Sequence, residues 1–227
     1  GQISYVIAIS GIVGVICTLG ASNTIIVYTA KGERILPQIS IVTMASSIIG
    51  ALAIFFILYN IGASLYVLGY AVFTLITAEI LGKKLYKDYS KYLITQRLSM
   101  VALSLVFYYI IGYNGVIIGI SLSFFPYAIR LYKECKVVKI HFATIKSKRN
   151  FMANSYVMDI SRMFAGSTDK LIIAPLFGFT ILGNYQLGVQ FLSLLSLIPN
   201  IVYQYILPHD ASGNPNKKLK KVTILSS

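Results

Sequence analysis

Four charged residues fall within residues 158–171, MDISRMFAGSTDKL: Asp159, Arg162, Asp169 and Lys170. Charges inside an apolar segment are costly, and they pair with one another or face a bundle interior or aqueous cavity. At helical spacing Ser155, Asp159, Arg162, Gly166 and Asp169 share one face, at intervals of 4, 3, 4 and 3 residues. The opposite positions Val157, Met158, Phe164, Ala165, Leu171 and Ile172 are mostly apolar. Asp159 and Arg162 lie one turn apart and are able to pair. Asp169 lies two turns from Arg162, near the middle of the segment, and Lys170 points about 100° away from it. One reading is a packing device, with an Asp159–Arg162 pair at the interface and a buried Asp169–Lys170 pair. The other is a polar stripe lining a translocation cavity. Four charges in one helix exceed what packing requires, which favours the cavity, with Arg162, Asp159 and Ser155 lining it.

The elements that must position this stripe are membrane helices. Of 227 residues, 56% are hydrophobic and only 12% are charged, about half the charged share of an ordinary soluble domain. The charges are absent from long runs at 3–30, 35–78, 98–129 and 171–208, apart from Lys170 at the edge of the last. A spanning helix takes roughly 20 mostly apolar residues, so each run holds one span and several hold two. Twelve Phe and seventeen Tyr, with no Trp, supply the aromatic content, and Tyr suits membrane interfaces. The fold class is therefore all-α, a polytopic membrane helix bundle. A net charge of +13 would suggest nucleic acid in a soluble protein. Here the basic residues sit in short loops between apolar runs, and no nucleic-acid partner is expected. Cys17 and Cys135 suggest neither a disulfide framework nor a metal site, and no cofactor is expected.

Charge fixes the expected topology. Eighteen of the twenty Lys and Arg fall into four clusters: Lys31 and Arg34; five between Lys83 and Arg97; seven between Arg130 and Arg149; and four between Lys217 and Lys221. The positive-inside rule places all four in the cytoplasm, so each stretch between them crosses twice. Turn signals without Lys or Arg stand at the returns: YNIGAS at 59–64, GYNG at 112–115 and GFTILGN at 178–184. Seven spans follow, at about 4–30, 36–59, 63–82, 93–111, 115–132, 153–176 and 184–207, with the N-terminus outside and the C-terminus inside. A single helix over 98–129 would put two basic clusters on opposite sides and is rejected. The fourth helix is expected to begin inside the basic loop, with Lys91 and Arg97 snorkelling to the headgroups. If residues 151–170 lay on the surface, the remaining run would give the wrong parity or a span too short to cross, so the charged stripe belongs in the bilayer.

Other features read more simply. The Tyr- and Lys-rich loop KKLYKDYSKYLITQR and the similar IHFATIKSKRNF read as interfacial helices held by anionic lipid. Glu79 reads as an interfacial residue beside Lys83. Pro126 and Pro199 are expected to kink their spans, and Pro175 to end its helix. The chain begins without a signal-peptide pattern and ends just after a basic loop; both ends read as cut from something longer.

Residues 154–208 resemble the lipid-linked polysaccharide flippases of the multidrug/oligosaccharidyl-lipid/polysaccharide exporter superfamily. The likeness rests on Asp-Lys-Leu-Ile-Ile at 169–173, Gly178, Leu-Gly-x-Tyr at 182–185 and a Pro-bearing helix closed by Pro208. GIVGVICTLGASNTIIVYTAKGE at 11–33 resembles that family's second helix and following loop. The resemblance implies two helical lobes working by alternating access in the cell membrane. Residues 1–135 would be most of the first lobe, 136–150 the cytoplasmic linker and 151–227 the start of the second. It also implies that the first helix and most of the second lobe are missing. The implied activity is flipping a polyprenyl-pyrophosphate-linked oligosaccharide to the outer leaflet, with membrane lipids and that lipid-linked substrate as partners. Arg162 would contact the substrate, since Arg offers bidentate contact to phosphate. Asp169, with Lys170, would serve coupling or gating.

A drug/cation antiporter of the same superfamily is the nearest alternative and would need more acids than the seven present. A seven-helix receptor or light-driven pump fits the span count, but 184–207 has no Lys to hold a retinal. A membrane glycosyltransferase is disfavoured because there is no Asp-x-Asp, no His pair and no sizeable extramembrane domain. No catalytic residue is assigned, and the chain is not expected to be an enzyme.

Overall fold

The computed structural model describes residues 1–136 and 143–211. Residues 137–142 of the expected linker, and 212–227 with the last basic cluster, lie outside the described residues. The described chain is helical, with no strand among the described residues: α1 (Gln2–Thr18), α2 (Ala21–Ala30), α3 (Leu36–Leu58), α4 (Ile61–Gly82), α5 (Tyr86–Ile111), α6 (Tyr113–Leu122), α7 (Ala128–Lys136), α8 (Ala143–Leu195) and α9 (Leu197–Ala211). A 3-10 turn over Phe125–Tyr127 joins α6 to α7.

Five stretches are long and apolar enough to cross a membrane: α3, α4, α5, residues 113–136 and residues 148–195. A sixth is counted if α1 and α2, bent by 47°, form one broken span. Their outward faces are apolar, with Ile49 70%, Phe56 66%, Ile57 70% and Leu98 66% exposed. Water would not tolerate so continuous an apolar surface on a monomer, whereas hydrocarbon would solvate it.

Local chemistry sets the boundaries. Pro37 occupies the first turn of α3, where its missing N–H costs nothing. Asn60 caps α4 by accepting from the Ala63 amide at 3.0 Å. Gly112, at φ 75°, ends α5 and starts an antiparallel pair with α6. Ser104 Oγ donates to the Val116 carbonyl at 3.5 Å and Gln96 Nε2 to Ser123 Oγ at 3.1 Å. The run over 98–129 is thus not one helix: it reverses at Gly112 and is interrupted again by the turn over Phe125–Tyr127. α5 itself begins at Tyr86, a full two turns before the expected 93, because Tyr, Lys and Leu continue the helix without a breaker.

Two breaks differ from the sequence expectation. The first apolar run, expected as one helix, bends at Leu19 (φ 52°) and Gly20 (φ 71°). α8 crosses at that bend. A Cβ on Gly20 would stand 2.5 Å from the Met152 carbonyl oxygen and 2.6 Å from the Tyr156 amide nitrogen. The expected turn over 178–184 contracts to one residue, Gly178 (φ 85°, ψ 168°), inside α8. Pro175 sits three residues before it without ending the helix. Pro199 lies in the opening turns of α9 rather than kinking a longer span.

At Gly178 the chain reverses. Residues 148–195 would extend about 72 Å if straight, yet the Tyr185 hydroxyl returns to the Asp169 carboxylate. Side-chain contacts sort the loops into two ends. At one, Asn60 Nδ2 donates to Asn114 Oδ1 at 3.1 Å, and Gly1, Tyr113, Phe179 and Gly183 line a common crevice. At the other, Lys83 reaches Glu134 at 3.5 Å, Lys148 reaches Glu33 at 2.6 Å, and Tyr86 packs on Tyr205 with ring centroids 4.9 Å apart. All the loop basic residues that make these contacts gather at the second end. Between the ends, α4 is the hub, and Ile25, Ile35, Leu75, Ile76 and Ile80 are buried around it.

The approach of α8 to Gly20 makes a prediction. Gly20→Ala should cost at least twice what Gly32→Ala costs in detergent unfolding. Gly32 shares the left-handed backbone (φ 86°) but has nothing within 4 Å, so it suffers only the strain of about 1 kcal/mol. Equal costs would mean that α8 does not press on the bend.

Candidate functional site

The bend at Leu19–Gly20 opens a gap on the inner side of α1–α2. Thr18 and Ser22 flank it, and Val15, Tyr70, Thr74, Asp159, Arg162 and Met163 complete a cavity of about 270 Å³. Four elements meet here: α1 and α2 supply the hydroxyls, α4 brings Tyr70 and Thr74, and α8 brings the charges. Tyr70 stacks on Tyr66 one turn away, with centroids 6.1 Å apart, which holds its ring against the cavity wall.

Asp159 and Arg162 line this cavity together, but they do not pair. Among the described residues no ion pair within 4.0 Å involves either one. Asp159 is half-buried and accepts from Asn23 Nδ2 at 3.1 Å. Arg162 is exposed, and its guanidinium lies 5.1 Å from the Tyr203 ring centroid, with Nη2 3.4 Å from the hydroxyl. The expected i,i+3 pair loses to these partners from α2 and α9. The two charges act on each other across the cavity without closing into an ion pair.

Ser155 is buried one turn before Asp159, outside the cavity lining. Asp169 and Lys170 lie further along α8, away from the cavity. Asp169 accepts from the Lys170 amide at 2.8 Å and from the Tyr185 hydroxyl, so it ties the two arms of the reversal at Gly178. No Asp169–Lys170 ion pair forms among the described residues. The stripe therefore divides by place: Asp159 and Arg162 in the cavity, Asp169 at the hairpin. The apolar positions behave as their spacing predicts, with Val157 62%, Phe164 48% and Ile172 50% exposed on the outside of the bundle.

Sequence reasoning missed Thr18, Ser22, Asn23, Tyr70, Thr74 and Tyr203. Tyr66, Tyr70 and Thr74 recur at four-residue spacing, a polar line on an otherwise apolar helix. That signal was visible. The contribution of Thr18, Ser22 and Asn23 depends on the bend, which their identities do not announce.

A second polar cavity, about 310 Å³, opens at the basic end between Thr29, Glu33, Arg34, Glu79, Lys83 and Glu134. Glu79 is 6% exposed. One of its oxygens lies 2.7 Å from Lys83 Nζ, and the other has no hydrogen-bond partner among the described residues. Lys83 also reaches Glu134 at 3.5 Å, joining α4 to α7. No group of three metal-ligating side chains occurs among the described residues.

The chain matches no protein-family model, no curated protein and no solved structure.

The reversal at Gly178 is directly testable. With Cys17 and Cys135 replaced by Ala, an Asp169→Cys, Tyr185→Cys chain should cross-link within itself on treatment with a short bis-maleimide. Sixteen residues of straight helix would hold the two positions about 24 Å apart, beyond such a reagent, and absence of cross-linking would remove the hairpin.

Proposed function

We propose that the chain is part of a multi-pass transporter of the cell membrane that moves a lipid-linked anionic substrate between leaflets by alternating access. The substrate class is a polyprenyl-pyrophosphate-linked oligosaccharide. The observation that carries this reading is Arg162: a guanidinium with no carboxylate partner among the described residues, opening on a polar cavity in a bundle of apolar helices. Its cation–π contact leaves N–H donors for a pyrophosphate oxygen pair, the geometry for which Arg is suited. Ser22, Tyr70 and Thr74 supply neutral hydrogen-bonding groups of the kind that bind sugar hydroxyls and phosphate esters, while the Thr18 hydroxyl donates to the Val15 carbonyl and is left only to accept. Asp159, across the same cavity, disfavours a second negative group and so sets the register of the anion on the Arg162 side.

The proposed topology has seven crossings, with the basic end in the cytoplasm and the N-terminus outside. It is supported by the gathering of the basic loops at one end and by the reversal at Gly178, which lets residues 148–177 and 179–211 count as separate passes. In this arrangement Asp169 is the coupling or gating group. The backbone at Gly178 makes the turn, and Asp169 bonds the Tyr185 hydroxyl and the Lys170 amide across it, so a change in its charge would alter how the two arms meet. The resemblance over 154–208 to lipid-linked polysaccharide flippases points the same way.

The test is substrate-dependent stabilisation together with flipping. A polyprenyl-pyrophosphate saccharide should raise the melting temperature of the purified protein, and Arg162→Ala should weaken that binding roughly tenfold or more, the worth of a charge-assisted hydrogen bond. Arg162→Ala in the native gene should slow export of the lipid-linked sugar, with Arg162→Lys intermediate. If organic cations stabilise the protein and the pyrophosphate does not, the antiporter reading replaces this one.

A further inference from the structure

A third cavity, about 290 Å³, lies on the flank of the bundle near the basic end, between α5 and the α6–α7 junction. Lys91, Tyr92, Thr95, Ser99, Ser123, Pro126, Tyr127 and Arg130 line it. The two cavities described above both contain carboxylates, whereas this lining contains two cations and none. The acids behind it, Glu79 and Glu134, lie 2.7 Å and 3.5 Å from Lys83 and act on Arg130 only at a distance, with no ion pair to it among the described residues.

The site is built rather than incidental. Arg130 donates to the Tyr92 hydroxyl at 2.7 Å, and its guanidinium carbon lies 5.1 Å from that ring's centroid. The Tyr127 hydroxyl donates to the Tyr92 carbonyl at 3.0 Å, and the two rings pack at 5.2 Å. Among the described residues one guanidinium N–H is used in this frame, out of five, so the fork is held in place with donors to spare. Ser123, fully buried, forms the floor and accepts from Gln96 at 3.1 Å. Lys91 stands exposed at the mouth.

Apolar surface continues from the cavity along the outer face of α5. Leu98 is 66%, Val101 53% and Leu105 55% exposed, one or two turns apart. A cationic aromatic notch that opens onto an apolar track matches a ligand with an anionic head and hydrocarbon tails. Basic pockets at the headgroup level between spanning helices hold anionic lipids on this principle. The volume suits a headgroup, with the acyl chains left outside along α5.

We propose that this notch is a binding site for an anionic phospholipid, with its phosphate on Arg130 and Lys91, its glycerol near Thr95 and Ser99, and its chains along Leu98, Val101 and Leu105. The proposal requires the helices to sit in a bilayer but does not depend on what the transporter carries.

The experiment measures lipid binding by native mass spectrometry of the delipidated protein in detergent, titrated with dioleoyl phosphatidylglycerol, dioleoyl phosphatidylcholine or glycerol 1-phosphate. Phosphatidylglycerol should bind, and phosphatidylcholine and glycerol 1-phosphate should bind at least about tenfold more weakly. Arg130→Ala with Lys91→Ala should lower phosphatidylglycerol affinity by about tenfold or more. Lys87→Ala with Lys133→Ala removes the same charge from exposed positions outside the lining, and should leave affinity within about twofold. An equal loss in that control would show a diffuse field and overturn the site, as would unchanged binding in the cavity variant. Glycerol 1-phosphate binding as tightly as the lipid would overturn the lipid assignment. Should the double alanine variant lose its cooperative melt, Arg130→Lys and Lys91→Gln are read instead, each with a predicted severalfold loss, and no loss in either overturns the proposal.

Discussion

A charge placed among apolar helices must be carried to an end, paired, or given polar surroundings, because its solvation is lost otherwise. With seven acids against twenty basic residues, few internal pairs can form, and the positions of the acids organise the bundle. Glu33, Glu79 and Glu134 come from the α2–α3 loop, α4 and α7. They meet Lys83 and Lys148 at one end, and these bonds fasten the ends of helices that otherwise touch through weakly specific apolar faces. Asp159 and Asp169 are the acids placed along α8, and each has a polar partner from another part of the chain. The same economy explains the sorting of loops: basic turns crowd one end, while the turns at Tyr59–Asn60, Gly112 and Gly178 carry Asn, Gly and aromatic residues.

The cavity is a consequence of how α8 reaches its place. It crosses α1–α2 where Gly20 lacks a side chain, so its backbone seats against the bend. Close seating of this kind is how helices associate without a hydrophobic driving force between them. The bend turns α2 away from the line of α1 and leaves Thr18 and Ser22 around a gap. Asp159 bonds to Asn23 just beyond the bend, so the residue that anchors the crossing also supplies charge to the cavity. A shift in the bend would move Asp159 and the neighbouring wall together. Alternating access, as proposed, asks for such a coupling between helix geometry and cavity chemistry.

Much of the helix layout was legible in the composition and spacing. Apolar run length, the four basic clusters and the glycine- or asparagine-bearing returns locate α3, α4, the α5–α6 reversal and the reversal at Gly178. The bend at Leu19 was not legible, because Leu is a poor left-handed residue and adopts φ 52° only in the packed context of α8. The outward apolar face of α8 followed from its periodicity. The Asp159–Arg162 pair did not form, since local spacing shows which groups can meet and not which competitors arrive from elsewhere. Asn23 comes from 136 residues away and Tyr203 from 41, and neither contact leaves a trace in the order of residues near 160.

Magnitudes decide how Arg162 is best understood. Insertion of an Arg at the centre of a spanning helix costs about 2.5–3.5 kcal/mol by the lowest scales. A cation–π contact with one Tyr returns about 0.5–2 kcal/mol, and a hydrogen bond at 3.4 Å adds little. Had Arg162 been placed for packing, pairing with Asp159 one turn away would have cancelled both charges. Instead Asp159 bonds Asn23 and Arg162 lies against Tyr203, so the two charges attract only at a distance and forgo a closed salt bridge, at a cost in stability. Such a cost is understandable where the cavity is wet and an anion arrives to complete the coordination of the guanidinium. The separation of the two side chains, more than their presence in one helix, is what supports the proposed role of the cavity.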